Sequence, residues 1–216
     1  MLKLLGAYGS PFVRKVKVVL DEKGLAYEHE QIVPFPATPE YRKISPLGKI
    51  PAFMDGDKAL ADSSIICAYL EKAHPAPALY PSDPYEYARA LWFEEYGDSG
   101  LSPIVGGKMF FNRIIGPRFL KRAFDEALFQ QALDKDLPPM FDYLENQIAG
   151  DYLAGGMFSI ADLAIATQFV NYRFAGGSLA HSRWPKLAAY IQRIQARPKF
   201  AAAIAIEEKM FGGGRD

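Results

Sequence analysis

The sequence predicts two domains in one chain: a small α/β sandwich of order βαβ-ββα, then an all-α helical domain. Three observations carry that expectation. Strand-like and helix-like hydrophobic periods alternate through the first third of the chain. A proline-rich run, Pro75-Ala76-Pro77-Ala78-Leu79-Tyr80-Pro81, then breaks the pattern as a domain linker does. Beyond Asp83 the strand signals vanish and only long helical patterns remain. The expected domains are residues 1–76 and 83–211.

Leu2 to Ala7 reads as a short buried strand, and Tyr8-Gly9-Ser10 as the turn after it. Pro11 suits the first position of a helix running to about Lys23, because its missing N–H has no partner there anyway. Phe12, Val13, Val16, Val19 and Leu20 recur at helical spacing, with Arg14, Lys15, Lys17 and Asp21 assigned to the other side. Gly24 supplies a left-handed stop. Tyr27 to Val33 is a second strand, and strand-helix-strand over so short a stretch implies parallel pairing.

Pro34 to Pro46 reads as a loop with one irregular helical turn around Tyr41. Ile50 to Met54 is a third strand, Asp55-Gly56-Asp57 a hairpin turn, and Lys58 to Leu60 the antiparallel return. Asp62 caps a helix with an apolar face of Ile65, Ile66, Tyr69 and Leu70, ending near His74-Pro75. Helical periods follow at Tyr85 to about Phe111, Arg118 to about Ile148, Ile160 to about Phe174, Trp184 to Gln195, and after Pro198. Ser159-Ile160-Ala161-Asp162 is a capping box with Asp in place of the usual Glu, a folding signal. Gly212-Gly213-Gly214-Arg215-Asp216 has the composition of a mobile tail.

Composition limits the partners. The formal net charge is zero, with no block of like charges, so the usual electrostatic case for nucleic acid or an anionic membrane surface is absent. The opening Met1 to Gly6 is too short an apolar run for a secretory leader, and no later segment has the length to span a bilayer. Cys67 is the only cysteine, so no internal disulfide forms, and it reads as a buried structural thiol. His29, His74 and His181 stand in separate segments without metal-ligand spacing, so no metal is expected. The expected setting is a reducing cytoplasm.

Three strings carry chemistry: Gly9-Ser10-Pro11-Phe12-Val13-Arg14-Lys15-Val16, Ser45-Pro46-Leu47-Gly48-Lys49-Ile50-Pro51, and Ala61-Asp62-Ser63-Ser64-Ile65-Ile66. In this order, ahead of an all-helical half, they resemble the cytosolic glutathione transferase superfamily. The serine-bearing first helix is most like the tau-type and related bacterial branches. The resemblance implies a thioredoxin-like first domain that binds glutathione as co-substrate.

Ser10 is then the implied catalytic residue. It stands where backbone N–H groups and the positive end of the helix dipole favour an anion, and the glutathione thiolate is such an anion. A hydroxyl donating to the sulfur favours the ionised form; a shift of about two pKa units needs roughly 3 kcal/mol. Position alone favours reading Ser10 as a helix N-cap; the other two strings turn the reading to chemistry. Tyr8 offers a competing hydroxyl.

The implied glutathione-binding set is Phe12, Lys49, Ile50, Pro51, Asp62 and Ser63. A cis Ile50-Pro51 bond would turn the Ile50 backbone toward the cysteinyl backbone, against an ordinary trans proline at a strand start. Ser63 and free N–H groups of its helix suit the γ-glutamyl carboxylate, and Asp62 suits the α-ammonium. Asp62 is shorter than the glutamate common in the family. Lys49 would meet the glycyl carboxylate as a point charge, or is merely solvated.

Tyr8, Phe35, Tyr96, Met109, Phe110 and Tyr172 are the candidates for an apolar electrophile pocket, although aromatic residues at helical spacing are commonly core. Phe12, beside Ser10, is also placed to wall that pocket. The function implied is glutathione S-transferase activity on a small hydrophobic electrophile, in detoxification, by a homodimer meeting through the Asp62–Ala73 and Tyr85–Phe111 helices. A peroxidase or disulfide reductase would use the same thiolate, and a non-catalytic interaction protein would keep the fold alone. The serine at position 10, where a thioredoxin-like oxidoreductase needs a cysteine, argues against dithiol exchange by the protein's own thiols.

Overall fold

The computed structural model describes residues 1–211, so the expected mobile tail from Gly212 to Asp216 lies outside the described residues. In chain order the first elements are β1 (Leu2–Leu5), α1 (Pro11–Glu22), β2 (Tyr27–Glu30), α2 (Pro39–Ile44), β3 (Ala52–Asp55), β4 (Lys58–Ala61) and α3 (Ser63–Ala73). Then come α4 (Pro84–Glu95), α5 (Gly116–Leu120), α6 (Glu126–Gln131), α7 (Leu137–Gln147), α8 (Ile160–Phe174), α9 (Pro185–Gln195) and α10 (Pro198–Phe211). The chain forms two compact units, one built from Met1–Tyr80 with α10 and the other from Pro81–Arg197.

The first unit has the predicted βαβ-ββα order. Its sheet runs β2-β1-β3-β4, with β1 parallel to β2 and the other pairs antiparallel. Leu5 pairs with Glu30 and Ala52, and Ala52 pairs with Ala61. That row places three segments at one end of the sheet: the turn after β1, Ile50-Pro51 before β3, and Asp62-Ser63 after β4. Leu4, Val16, Leu20, Phe53, Ile66 and Leu70 close the core without exposed surface. Gly6 lets β1 and α1 approach, since a Cβ there would stand 2.4 Å from Val13 Cγ2.

Two predicted helix faces need correction. Arg14 and Lys15, expected on the polar side of α1, are buried at 1% and 0% exposure. On α3, Ile65 is exposed, whereas Cys67 joins Ile66 and Leu70 inside, as its reading as a structural thiol requires.

The boundaries differ from residues 1–76 and 83–211. The first unit extends to Tyr80 because the buried Lys23 ammonium donates to Glu71, His74 O and Pro77 O, and Glu71 accepts from Leu79 N–H. At the other end, α10 packs against α1, burying Phe200, Ala203, Ile204, Glu207 and Phe211.

The second unit is all-helical, as predicted, and α8 is its centre, buried from Ile160 to Tyr172. The capping box forms, and Asp162 also reaches further: it accepts from Ser159 N–H at 2.8 Å, Leu153 N–H at 3.1 Å and Tyr190 O–H at 2.7 Å. The helix expected from Tyr85 widens after Glu95 into π-helical stretches, Tyr96–Leu101 and Pro103–Ile115. Within them, the ring of Pro103 crowds the carbonyl four residues back, which opens the regular α-helical turn there. The helix expected from Arg118 to Ile148 is broken, with Lys121 left-handed at φ 54°. Asn112 is the physical reason: its side chain takes the N–H and C=O of Asp125 at 2.9 and 2.8 Å. Asp125 then restarts the helix as N-cap of α6.

Candidate functional site

Ser10 sits at the N-cap of α1 with extended φ and ψ of −78° and 122°. Its Oγ accepts from Val13 N–H at 3.4 Å, so the capping reading is correct. The same geometry leaves chemistry available. An oxygen that accepts at the cap still carries its own proton, and that proton has no acceptor among the described residues. Capping and outward donation are therefore compatible, and the accepted bond polarises the O–H. Gly9, at φ 85°, makes the turn that brings the chain into this cap.

The start of α3 lies beside the start of α1, because Lys15 Nζ on α1 donates to Ser64 Oγ at 3.1 Å. Asp62 caps α3 from a left-handed backbone, φ 80°, which side-chain-bearing residues rarely adopt. Its Oδ1 accepts from Ser64 N–H at 2.9 Å and Ile65 N–H at 3.3 Å. The expected set of free N–H groups thus narrows to that of Ser63, which is itself buried, while Asp62 remains exposed with Oδ2 uncommitted.

The Ile50–Pro51 bond is cis. Ile50 is half-buried and its backbone has no partner among the described residues. The loop ahead of it is anchored by Tyr41 O–H and Ser45 O–H, which donate to Lys49 O at 2.8 and 2.7 Å. Lys49 is exposed, with its ammonium free among the described residues. Gly6 adjoins Ile50, since a Cβ on Gly6 would stand 3.4 Å from Ile50 Cβ. Ser10, Ile50-Pro51 and Asp62-Ser63 therefore gather at one sheet end, under two helix N-termini and a buried lysine. That arrangement favours an extended ligand with negative groups.

The remaining candidates separate. Tyr8 and Phe12 are half-buried next to Ser10. Tyr8 meets the His29 ring edge-on at 4.8 Å, and its N–H donates to Gln31 Oε1. Burial pushes the His29 imidazole below its ordinary pKa, against the Gly6 carbonyl bond that raises it, so the ring is neutral beside the site at neutral pH. Phe35 is exposed in the first unit.

In the second unit Tyr96 is half-buried against Tyr143, and burial pushes its hydroxyl up to about 12. Met109, Phe110 and Tyr172 are corrections: all three are buried, Met109 with no exposed surface, and the Tyr172 ring packs edge-on against Phe141. They are core residues of that unit. A cavity of about 390 Å³ there, lined by Pro81, Glu86, Arg89, Tyr152 and Met157 among others, includes none of the expected pocket residues.

Residues 4–78 match the glutathione S-transferase N-terminal domain, and residues 115–206 match the glutathione S-transferase C-terminal domain. Glutathione S-transferase 3 of Zea mays is 31% identical over 218 residues, covering 94% of this chain and 93% of that protein. The chain belongs to the glutathione S-transferase family.

Another relative is the uncharacterized GST-like protein YibF of Escherichia coli strain K12, 30% identical over 203 residues, 93% of this chain and 96% of that one. Among solved structures, a glutathione S-transferase of Methylobacterium radiotolerans in complex with glutathione sulfonate superposes with a TM-score of 0.77 at 28% identity, covering 94% of each chain. A glutathione S-transferase of Rhodospirillum rubrum shares the fold, at a TM-score of 0.85 and 23% identity over 94% of this chain and 91% of its own.

The expectation of this family from three short strings is thus correct. Sequence reasoning missed Lys15, Arg14 and Glu207 around the candidate site. The available signal was Val18, which extends the apolar arc of α1 through positions 14 and 15 at helical spacing. Among the described residues no helix is long and apolar enough to cross a membrane, and no group of three or more His, Cys, Asp and Glu is arranged to hold a metal ion.

Proposed function

We propose that this transferase binds glutathione at the common end of the sheet in its first unit and uses Ser10 to keep the thiol ionised for attack on a hydrophobic electrophile. The observation that carries the reading is the Ser10 hydroxyl, capping a 12-residue helix through its oxygen while its proton has no acceptor among the described residues. A sulfur at that proton gains a charge-assisted hydrogen bond and the field of the helix terminus together. Ser10 need not ionise. Once the thiolate is formed, proximity to a bound electrophile supplies the rest of the rate.

The other contacts follow from the same geometry. The unpartnered Ile50 backbone pairs with the cysteinyl backbone, Pro51 shapes that approach, and Lys49 meets the glycyl carboxylate. Ser63 and its N–H take the γ-glutamyl carboxylate, with the buried Lys15 ammonium behind the helix start adding positive potential. Asp62, capping through one oxygen, offers the other to the α-ammonium. Tyr8 and Phe12 form the apolar wall beside the sulfur. Retention on immobilised glutathione tests the binding half: wild type is expected to be held and eluted by free glutathione, and a Ser63→Ala, Asp62→Ala double variant to pass through. Equal retention of both would remove these residues from the site.

We also infer a homodimer built through α3 and α4. Ile65 on α3 and Trp92 on α4 carry exposed apolar surface, at 55% and 51%, which association between copies would cover. Light scattering at micromolar concentration is expected to give twice the chain mass of 24.0 kDa, and a monomer would contradict the inference.

A further inference from the structure

The turn that presents Ser10 is held from the far end of the sequence. Glu207, on α10, accepts from Gly9 N–H through Oε1 at 3.1 Å. Its Oε2 accepts from Arg14 Nε at 2.7 Å and also from Arg14 Nη2. Both side chains are buried, Arg14 at 0% and Glu207 at 3% exposure. Arg14 lies one helical turn after Ser10, so the guanidinium fork fixes the carboxylate with respect to α1, and the carboxylate fixes Gly9 with respect to the cap.

We propose that Glu207 is a positioning residue for thiol activation, aiming the Ser10 hydroxyl by pinning the Gly9 backbone. This rests on the reading of Ser10 given above. Gly9 is the permissive joint of the turn, at φ 85°, and Ser10 N–H makes only a 3.4 Å bond back to Ala7 O. Tyr8 N–H is held from the other side by Gln31. With Glu207 removed, Gly9 N–H loses its buried carboxylate acceptor, and the direction of the Ser10 O–H is less defined.

The carboxylate itself does not oppose a charge on sulfur, because Arg14 on α1 neutralises it. His29 on β2 also lies within electrostatic reach of Glu207, and its lowered pKa leaves it uncharged there at neutral pH. A merely structural ion pair would stabilise the first unit and leave the chemistry of Ser10 unchanged.

The test uses the full chain in three variants. Arg14→Met/Glu207→Met removes both members of this ion pair at once, so neither of the two is left facing a vacated partner, and takes away the carboxylate that accepts from Gly9 N–H. Arg14→Met/Glu207→Gln removes the ion pair in the same way but keeps an amide oxygen for Gly9 N–H. Ser10→Ala reports on the underlying reading. The readout is the pH midpoint of thiolate absorbance for bound glutathione, alongside retention on glutathione resin and the urea midpoint.

The double-methionine variant is expected to retain glutathione while its thiolate midpoint rises by about one pH unit, and the glutamine variant to return to within a few tenths of wild type. If both double variants titrate like wild type while Ser10→Ala shifts, the positioning role is wrong and the Ser10 reading stands. If both shift alike, the effect belongs to the charge pair and not to the Gly9 anchor, which also overturns the proposal. If Ser10→Ala itself titrates like wild type, the reading beneath the proposal fails. Should the methionine pair not fold, Arg14→Leu/Glu207→Leu makes the same comparison.

Discussion

Replacing Ser10 by alanine is expected to lower kcat/KM at neutral pH by roughly 100-fold, with the KM for glutathione little changed. In the proposed mechanism the hydroxyl donates to a charge that exists on the thiolate and not on the thiol, so its removal would penalise the reactive form alone. The deficit should shrink as pH rises, because alkali ionises the thiol without help, and the two rate profiles should approach each other near the ordinary thiol pKa. Alanine also removes a helix cap, worth about 1 kcal/mol. Ser10→Thr separates the two losses, since it keeps a hydroxyl that caps and donates; it is expected to recover most of the rate. Equal kcat/KM in wild type and Ser10→Ala across the pH range would remove the serine from the mechanism.

The second large effect is on folding. Asp162→Ala is expected to cost about 3–5 kcal/mol, read as a lowered urea midpoint with the slope unchanged. Asp162 is fully buried, and four groups donate to it: the N–H of Leu153, the N–H and O–H of Ser159, and the O–H of Tyr190. Alanine would orphan them inside the second unit, Tyr190 having no exposed surface at all. Burial raises the Asp162 carboxyl above its ordinary value, with these donors pulling the other way. The sign for stability follows: the raised pKa contributes in full below the model-compound value of 3.8 and is lost as pH rises through the folded-state value. Wild type should therefore lose stability relative to the non-titrating Asp162→Asn across that interval. Asn keeps an acceptor for Tyr190 and Leu153 and presents a donor to Ser159 N–H, so it should fall between wild type and alanine.

The βαβ-ββα order was legible because each element there is local. Pro11, Gly24 and Asp62 punctuate helices by backbone chemistry that needs no tertiary partner, and the hairpin at Asp55-Gly56-Asp57 closes on itself. The three strings that carry the site were legible for the same reason. Each sits at an element start, where sequence dictates geometry, and the sheet register then gathers them.

What stayed hidden was set by contacts distant in sequence. Arg14 and Lys15 look like a solvated face until Glu207 and Ser64 arrive to pair with them, from 193 and 49 residues away. The break after Leu120 depends on the Asn112 side chain replacing helical bonds at Asp125, a competition that hydrophobic period does not register. Met109, Phe110 and Tyr172 have the aromatic and apolar character of a ligand pocket and of a core alike; burial places them in the core. The last helix, read as part of the helical domain, belongs to the first unit because its partners lie on α1.

The most direct test of the account is the ultraviolet titration of glutathione bound to wild type and to Ser10→Ala, which reads the charge on sulfur without any electrophile. Wild type is expected to show a thiolate midpoint about two units below that of free glutathione, and Ser10→Ala a midpoint moved most of the way back. Coincident midpoints for the two proteins, with both saturated by glutathione, would contradict it.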